Sequence, residues 1–393
     1  MRDAGAPPDL PVFADDAFPS PLRHAWLVTR AGALLATAIS VCFLTGLVSH
    51  LHQHPVAWLP LPPDPAWGYR LTQGIHVTTG LAAIPLLGLK LWSVYPRLWA
   101  WPPVRSAGHA LERLSVGLLA AATAFELVTG TLNLAHLYLW SFLFPVAHYA
   151  VAWVVLGSVL IHLAVKWPLV VEAWHARAGG GPADDDPPGE GALDGSRVLS
   201  RRGVLGAALL GSAAVAAVTV GQTLRPLGWA GLLAPRSPQD VPLGVPVNRT
   251  AVDAGVVPAA QHTGYALTVH GPTPRSFALA DLAALPQHEV ELPLACVEGW
   301  SAVATWGGVR LRDVLDLCGV DGGSTVRVVS LETDGLYATA EVPPQFARHE
   351  DTLLALRLAG APLTLDHGYP VRLIAPDRPG VLQTKWVSRI EVV

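Results

Sequence analysis

The chain is poor in charge, in lysine and in sulfur. Only 14% of its 393 residues are Asp, Glu, Lys or Arg, and the lysines are just Lys90, Lys166 and Lys385. With a formal net charge of -4 and no basic patch, nucleic acid is excluded as a partner. Three cysteines, Cys42, Cys296 and Cys318, are too few for a disulfide framework, and none forms a C-x-x-C pair. No apolar signal-peptide run opens the chain; residues 1–28 begin Pro- and Asp-rich and read as a cytoplasmic tail. What is plentiful is apolar. The chain is 51% hydrophobic with a mean hydropathy of +0.39, the composition of an integral membrane protein.

Four long apolar runs lie near 29–51, 71–95, 110–134 and 140–166, and a fifth near 204–224. Each reaches or exceeds the roughly twenty residues that cross a bilayer. Arg23, Arg30, Lys90, Arg97, Arg105, Arg113, Lys166, Arg177, Arg197, Arg201 and Arg202 fall on one side, whereas the loops 52–70 and 135–139 hold only Arg70. The positive-inside rule then puts the N-terminus in the cytoplasm and everything after the fifth span outside. The expected organisation is a four-helix transmembrane domain over 29–170 and an acidic flexible linker over 171–199. A single fifth span over 200–225 follows, then a Pro/Gly-rich linker over 226–245 and a separate outer domain over 246–393.

The fifth span opens with Ser200-Arg201-Arg202-Gly203-Val204-Leu205. Two adjacent arginines before an apolar run form a twin-arginine export signal, which is read by a receptor. That route carries domains already folded, often around a cofactor. The plainer reading is a membrane helix with two arginines at its cytoplasmic end.

Ionisable groups inside spans are costly and point to function. His148 and His162 are fourteen residues apart in the fourth run. In a helix that is a rise of about 21 Å and close to four whole turns, so both imidazoles share one face, one near each membrane surface. This is the placement of axial ligands for two stacked haems. His76, in the second run, matches His148 in depth; His109 matches His162, with His24 as the other choice. His50, His52 and His54 read as interfacial surface or as part of a quinol or docking site, and Glu126 as a proton relay. On His76, His148, His162 and Thr45-Gly46, residues 25–170 resemble the four-helix b-type cytochrome subunits of formate dehydrogenases and nickel–iron hydrogenases. The resemblance implies haem b, with His76 and His148 on the outer haem iron and His162 on the inner. Gly32 stands where that family places its inner-haem histidine.

From residue 246 the apolar runs shorten to five or seven residues between turn signals. Strands are expected at Tyr265–Val269, Val290–Leu294, Val326–Ser330, Val371–Ile374 and Trp386–Val393, and short helices at 277–285 and 310–318, which makes an α+β domain. Leu292-Pro-Leu-Ala-Cys296-Val-Glu-Gly-Trp300 ends a strand with one cysteine. A lone thiolate cannot hold zinc or an iron–sulfur cluster, but it suits a metal delivered by an organic cofactor. A buried core cysteine is the plainer reading.

That segment, with Trp306-Gly-Gly-Val-Arg-Leu-Arg-Asp-Val-Leu, His367-Gly-Tyr-Pro-Val-Arg372-Leu and Lys385-Trp386, resembles the molybdopterin-binding domain of the sulfite oxidase group, which includes periplasmic methionine sulfoxide reductases. The resemblance implies that Cys296 binds molybdenum and is the catalytic ligand. It further implies that Asn248, Thr333, His367, Arg372, Gln383, Thr384 and Lys385 contact the pterin or its phosphate. Sulfite itself is not implied, because no arginine cluster for it is evident; Arg249, Arg348 and Arg378 are the candidates.

The chain is thus expected to be a five-span molybdenum oxidoreductase of a bacterial cell membrane. Quinone or quinol exchanges electrons through haem b with an outer molybdenum centre that moves an oxygen atom on a small substrate, of the sulfoxide kind. Membrane lipid and a periplasmic redox protein are the other partners. The alternative is a haem b electron-transfer or anchor protein with a non-catalytic docking domain.

Overall fold

The computed structural model describes residues 20, 22–23, 25–56, 58–99, 101–178, 200–220, 229–231, 236–238 and 241–393. The N-terminal tail as far as residue 19, His24, the acidic linker over 179–199 and residues 226–228, 232–235 and 239–240 of the next linker lie outside the described residues.

Five helices, α1 (Ala25–Gln53), α2 (Gly68–Val94), α3 (Ala107–Leu134), α4 (Phe144–Ala178) and α5 (Arg201–Val220), are long and apolar enough to cross a membrane. The chain divides into two compact units. The first comprises Met1–Phe43, Thr79–Asn133 and Leu137–Ala216; the second comprises Leu44–Thr78, Leu134–His136 and Ala217–Val393.

In the first unit Leu35 of α1 packs with Ala83 and Leu86 of α2 and Leu127 of α3. The fifth helix joins this packing rather than standing alone. Val204, Leu205 and Ala208 close on Leu27, Ala31 and Leu89. Gly211 brings α5 against the Pro85 ring, and Ser212 donates to the Ala82 carbonyl at 2.7 Å. A proline inside α2 interrupts the backbone ladder, and a small-residue helix face lets a hydroxyl reach the exposed carbonyl edge. An ion pair of 2.5 Å between Lys166 and Glu112 joins α4 to α3.

In the second unit two sheets carry the C-terminal domain. One has the order β2 (Arg275–Ala278), β1 (Ala266–His270), β10 (Val387–Val392), β5 (Val326–Ser330), β6 (Thr339–Val342), with β1 and β10 its parallel pair. The other runs β3 (His288–Ala295), β4 (Ser301–Arg310), β7 (Leu353–Leu358), β8 (Ala361–Pro362), and β9 (Arg372–Ile374) pairs with β7. Four short helices complete it: α6 (Val257–Ala260), α7 (Leu279–Ala284), α8 (Leu311–Leu317) and α9 (Pro344–Ala347).

Leu267 and Val269 of β1, Val326 and Val328 of β5, Ile390 of β10 and the inward face of α8 form the larger core. Leu292, Leu294, Trp306, Leu353 and Ile374 form a second, and Cys296 belongs to it. The five anticipated strands and two helices are present. The long β4 was not anticipated, because Gly307-Gly308 interrupts its β-forming pattern.

Candidate functional site

The β3–β4 hairpin presents the cysteine. Its strands stay in register to the pair Ala295 and Ser301, leaving Cys296–Trp300 as the turn. Within it Cys296 N donates to Trp300 O at 2.9 Å and Gly299 N donates to Cys296 O at 3.1 Å. Gly299 takes φ +87°, and a Cβ there would lie 2.8 Å from Leu134 Cδ1 and 3.0 Å from Val77 Cγ2. Glycine is therefore required twice, for the left-handed backbone and for the approach of α2 and α3.

The Cys296 side chain is buried. Asn248 Nδ2 donates to its sulfur at 3.0 Å, and the Glu298 amide points at it from 3.5 Å. Trp300 Nε1 donates to Asn248 Oδ1 at 3.0 Å, so one amide side chain fixes both ends of the turn. Burial, followed by the Glu298 carboxylate, pushes the thiol up to about 12, against the pull of those two donors. The Glu298 carboxylate is held by His136 at 3.3 Å, with Arg236 at 4.0 Å.

His367, Arg372, Gln383, Thr384 and Lys385 lie on or beside β9 and just before β10. Arg372 on β9 is buried; its Nη1 donates to His367 O at 3.1 Å and its guanidinium lies 5.2 Å from the Trp306 ring centre. Its Nε has no hydrogen-bond partner, nor has the buried Thr384 Oγ1. Burial lowers Arg372 to about 10 despite the nearby Cys296. Lys385 donates to the carbonyls of Arg249 and Asp366, and burial, then Arg372, brings it down to about 7. Gln383 is buried and donates to Arg378 O at 2.9 Å. His367 Nε2 donates to Val245 O at 2.9 Å and Nδ1 meets Thr364 Oγ1 at 2.7 Å; burial is the main cause that lowers it. Of the anticipated ligands, Asn248 touches the cysteine directly, whereas Thr333 is exposed on the loop after β5. Arg249 is paired with Glu332 and Arg348 with Asp316, leaving Arg378 as the buried arginine of the three sulfite candidates.

Among the described residues no group of three or more His, Cys, Asp or Glu side chains could hold a metal ion. A metal at Cys296 must therefore bring its other ligands with it. Residues 254–393 match the family described as "Oxidoreductase molybdopterin binding domain". This part of the chain is a molybdopterin-binding domain of the sulfite oxidase type.

The molybdopterin domain accounts for the curated relatives. Sulfite oxidase of Arabidopsis thaliana is 31% identical over 35% of this chain and 44% of its own length. Sulfite oxidase of Gallus gallus is 34% identical over 35% of this chain and 36% of its own. Nitrate reductase [NAD(P)H] of Hordeum vulgare is 41% identical over 24% of this chain and 12% of its own. The chain spans less than half the length of these relatives.

The unpartnered Arg372 Nε and Thr384 Oγ1 fit the cofactor: buried donors lacking acceptors are rare, and a phosphorylated pterin is rich in acceptors. Contacts from α1 and α2 to the molybdopterin domain were not anticipated. Gln73 of α2 donates to Val297 O at 3.1 Å, next to Cys296, and Ser49 of α1 donates to Gln73 Oε1 at 3.0 Å. The signal was there in kind, since Ser49 and Gln73 are polar groups inside long apolar runs.

The histidines expected to ligate haem are placed as follows. His76, in the second unit, lies against Gly46, where a Cβ would come within 2.9 Å of its ring. His148, in the first unit, lies against Gly130 in the same way at 3.4 Å, with Nε2 at 3.1 Å from Glu126 and Nδ1 at 3.1 Å from Thr129. His109 accepts from Arg105 N at the start of α3, and His162 has Lys90, Lys166 and Glu112 as its charged neighbours. The space over Gly32 is filled by Lys90, whose Nζ donates to Val28 O at 2.9 Å.

Proposed function

We propose that the chain is a membrane-bound molybdenum oxidoreductase that transfers an oxygen atom to or from a small molecule. The reading is carried by one observation: a single buried thiol on a rigid turn, within a domain whose buried Arg372 and Thr384 donors lack acceptors. Cys296 supplies the protein's ligand to molybdenum, and Asn248 orients its sulfur. Arg372, Lys385, Thr384, Gln383 and His367 hold the pterin and its phosphate, the two cations by charge-assisted bonds. When bound, the cofactor supplies two-electron oxygen-atom transfer, and the protein positions it and tunes its potential. Among the relatives some are named for sulfite and one for nitrate, so the domain alone leaves the substrate open. With Arg249 and Arg348 neutralised by carboxylates, an uncharged oxo-compound such as a sulfoxide is favoured over an oxoanion.

The helices, in this reading, cross a bacterial cell membrane with the N-terminus inside and the molybdopterin domain outside, exported by the twin arginines. They would hold haem b to pass electrons between a quinone and the outer domain, with His76 and His148, matched in depth along the sequence, as its histidines. Haem binding at His148 would take one of its nitrogens from Glu126 or Thr129. Lys90 over Gly32 weighs against a second, inner haem.

Metal analysis of the purified protein tests the proposal. Molybdenum near one per chain that is lost in Cys296→Ser supports it; full molybdenum in that variant, or none in the parent protein, overturns it. A reduced-minus-oxidised spectrum without b-type bands would remove the haem.

A further inference from the structure

A cavity of about 290 Å³ in the second unit is separate from the cysteine turn. Leu51, Pro55, Leu61 and Phe346 line its apolar part, and His52 and Arg378 its polar part. It opens where α1 ends, at the edge of the candidate span Trp26–Gln53, which is the depth of a membrane interface.

The polar part is built. Arg378 is only 4% exposed; its Nη2 donates to Glu341 O at 2.7 Å, its guanidinium lies 5.3 Å from the Phe346 ring centre, and its Nη1 has no hydrogen-bond partner. A buried guanidinium N–H without an acceptor is costly, so an acceptor from outside the chain is wanted there. Opposite the apolar wall, His52 Nε2 meets Asp377 Oδ2 at 3.1 Å while its Nδ1 lies 2.9 Å from Val48 O. A carbonyl can only accept, so Nδ1 carries a hydrogen. The second contact then needs a proton on either Nε2 or the carboxylate, so the pair holds one transferable proton. Asp377 also accepts from Tyr69 N at 2.5 Å, which fixes it on the outer end of α2.

We infer that this cavity binds the headgroup of a membrane quinone. Apolar walls at membrane depth suit a lipid-borne ring. Two ring oxygens need a donor such as Arg378 Nη1 and a proton-bearing partner such as His52 with Asp377. The carboxylates of Asp377 and Glu341 in the lining disfavour an oxoanion. The volume lies just below the roughly 300–1,000 Å³ of small-molecule pockets, enough for a ring but not for its tail. The inference rests on the reading above only for the ligand being a quinone.

The test is photolabelling of the intact protein in detergent with a short-chain azidoquinone, followed by peptide mapping. The expected result is label within residues 51–61 or 343–346 that excess short-chain quinone displaces. Arg378→Leu should reduce it about tenfold through the lost charged hydrogen bond. Leu61→Trp, which fills the cavity without touching a buried charge, should do the same with an unchanged melting temperature. Label on other segments, label that quinone does not displace, or label displaced by a sulfoxide instead would overturn the inference. A protein that lacks molybdenum yet labels at 51–61 would refute the enzymatic reading while leaving this site standing.

Discussion

Asn248 Nδ2 donates to the sulfur of Cys296 at 3.0 Å while Asn248 Oδ1 accepts from Trp300 Nε1 at the same distance. One side chain from the segment entering the domain thus ties the Cys296 thiol to the far end of its own turn. Removing it leaves a buried indole N–H without an acceptor, at a cost of about 1–3 kcal/mol. Asn248→Ala should lower the melting temperature of the outer domain and its molybdenum content. Asn248→Asp, which sets a carboxylate beside the sulfur, should lower the metal content further still; equal metal in all three proteins would refute the role.

The thiol, pushed up to about 12, is protonated at neutral pH until a metal replaces the proton. In cofactor-free protein, alkylation of Cys296 by iodoacetamide at pH 8 should be at least about a hundred times slower than that of an ordinary cysteine. Mass spectrometry of the modified peptide reads this directly. A rate equal to that of free cysteine would show that the turn does not bury the sulfur.

Lys385 gives a pH dependence of definite sign. Its folded value of about 7 lies below the usual 10.5, so between those limits the unfolded chain binds more protons than the folded one. Stability of the cofactor-free protein should therefore rise with pH across that window, and the penalty should be fully present below it. Melting curves from pH 7 to 9.5 test this, and Lys385→Met should flatten them. An anion bound at Lys385 restores its charge, so cofactor binding above pH 7 should take up a proton, measurable by calorimetry in two buffers.

The twin arginines can be separated from a mere charged helix end. Replacing both Arg201 and Arg202 by Lys keeps the charge and removes the motif. Protease protection should then find α1 to α4 inserted and the molybdopterin domain retained in the cytoplasm. If the domain still appears outside, charge alone suffices.

Much of the fold was legible because local pattern and tertiary structure agree. The span ends were placed within a few residues by apolar length, the fourth span closing at Trp167 although its helix runs on to Ala178. Strands β1, β5 and β10 carry the β-branched residues that mark them, β3 and β9 short apolar runs, and β5 was placed at Val326–Ser330 with both ends correct. Strand β4 was missed because its core position depends on Trp306 and on paired neighbours, while its two glycines speak against a strand. The partners of the fifth helix were not legible, since nothing in an apolar run of small residues tells which helix it will meet.

The sequence by itself determined the five apolar helices, the sheet domain and the cysteine that marks its site, because length, periodicity and motif are local properties. The resemblance to the sulfite oxidase group also pointed to Asn248, which the structure sets against the sulfur of Cys296. Only the tertiary structure decided that Lys90 fills the space over Gly32, that Val77 and Leu134 press on Gly299, and that His52 meets Asp377. Residues 52 and 377 lie 325 positions apart, and no local pattern encodes a contact that exists only once both segments are folded.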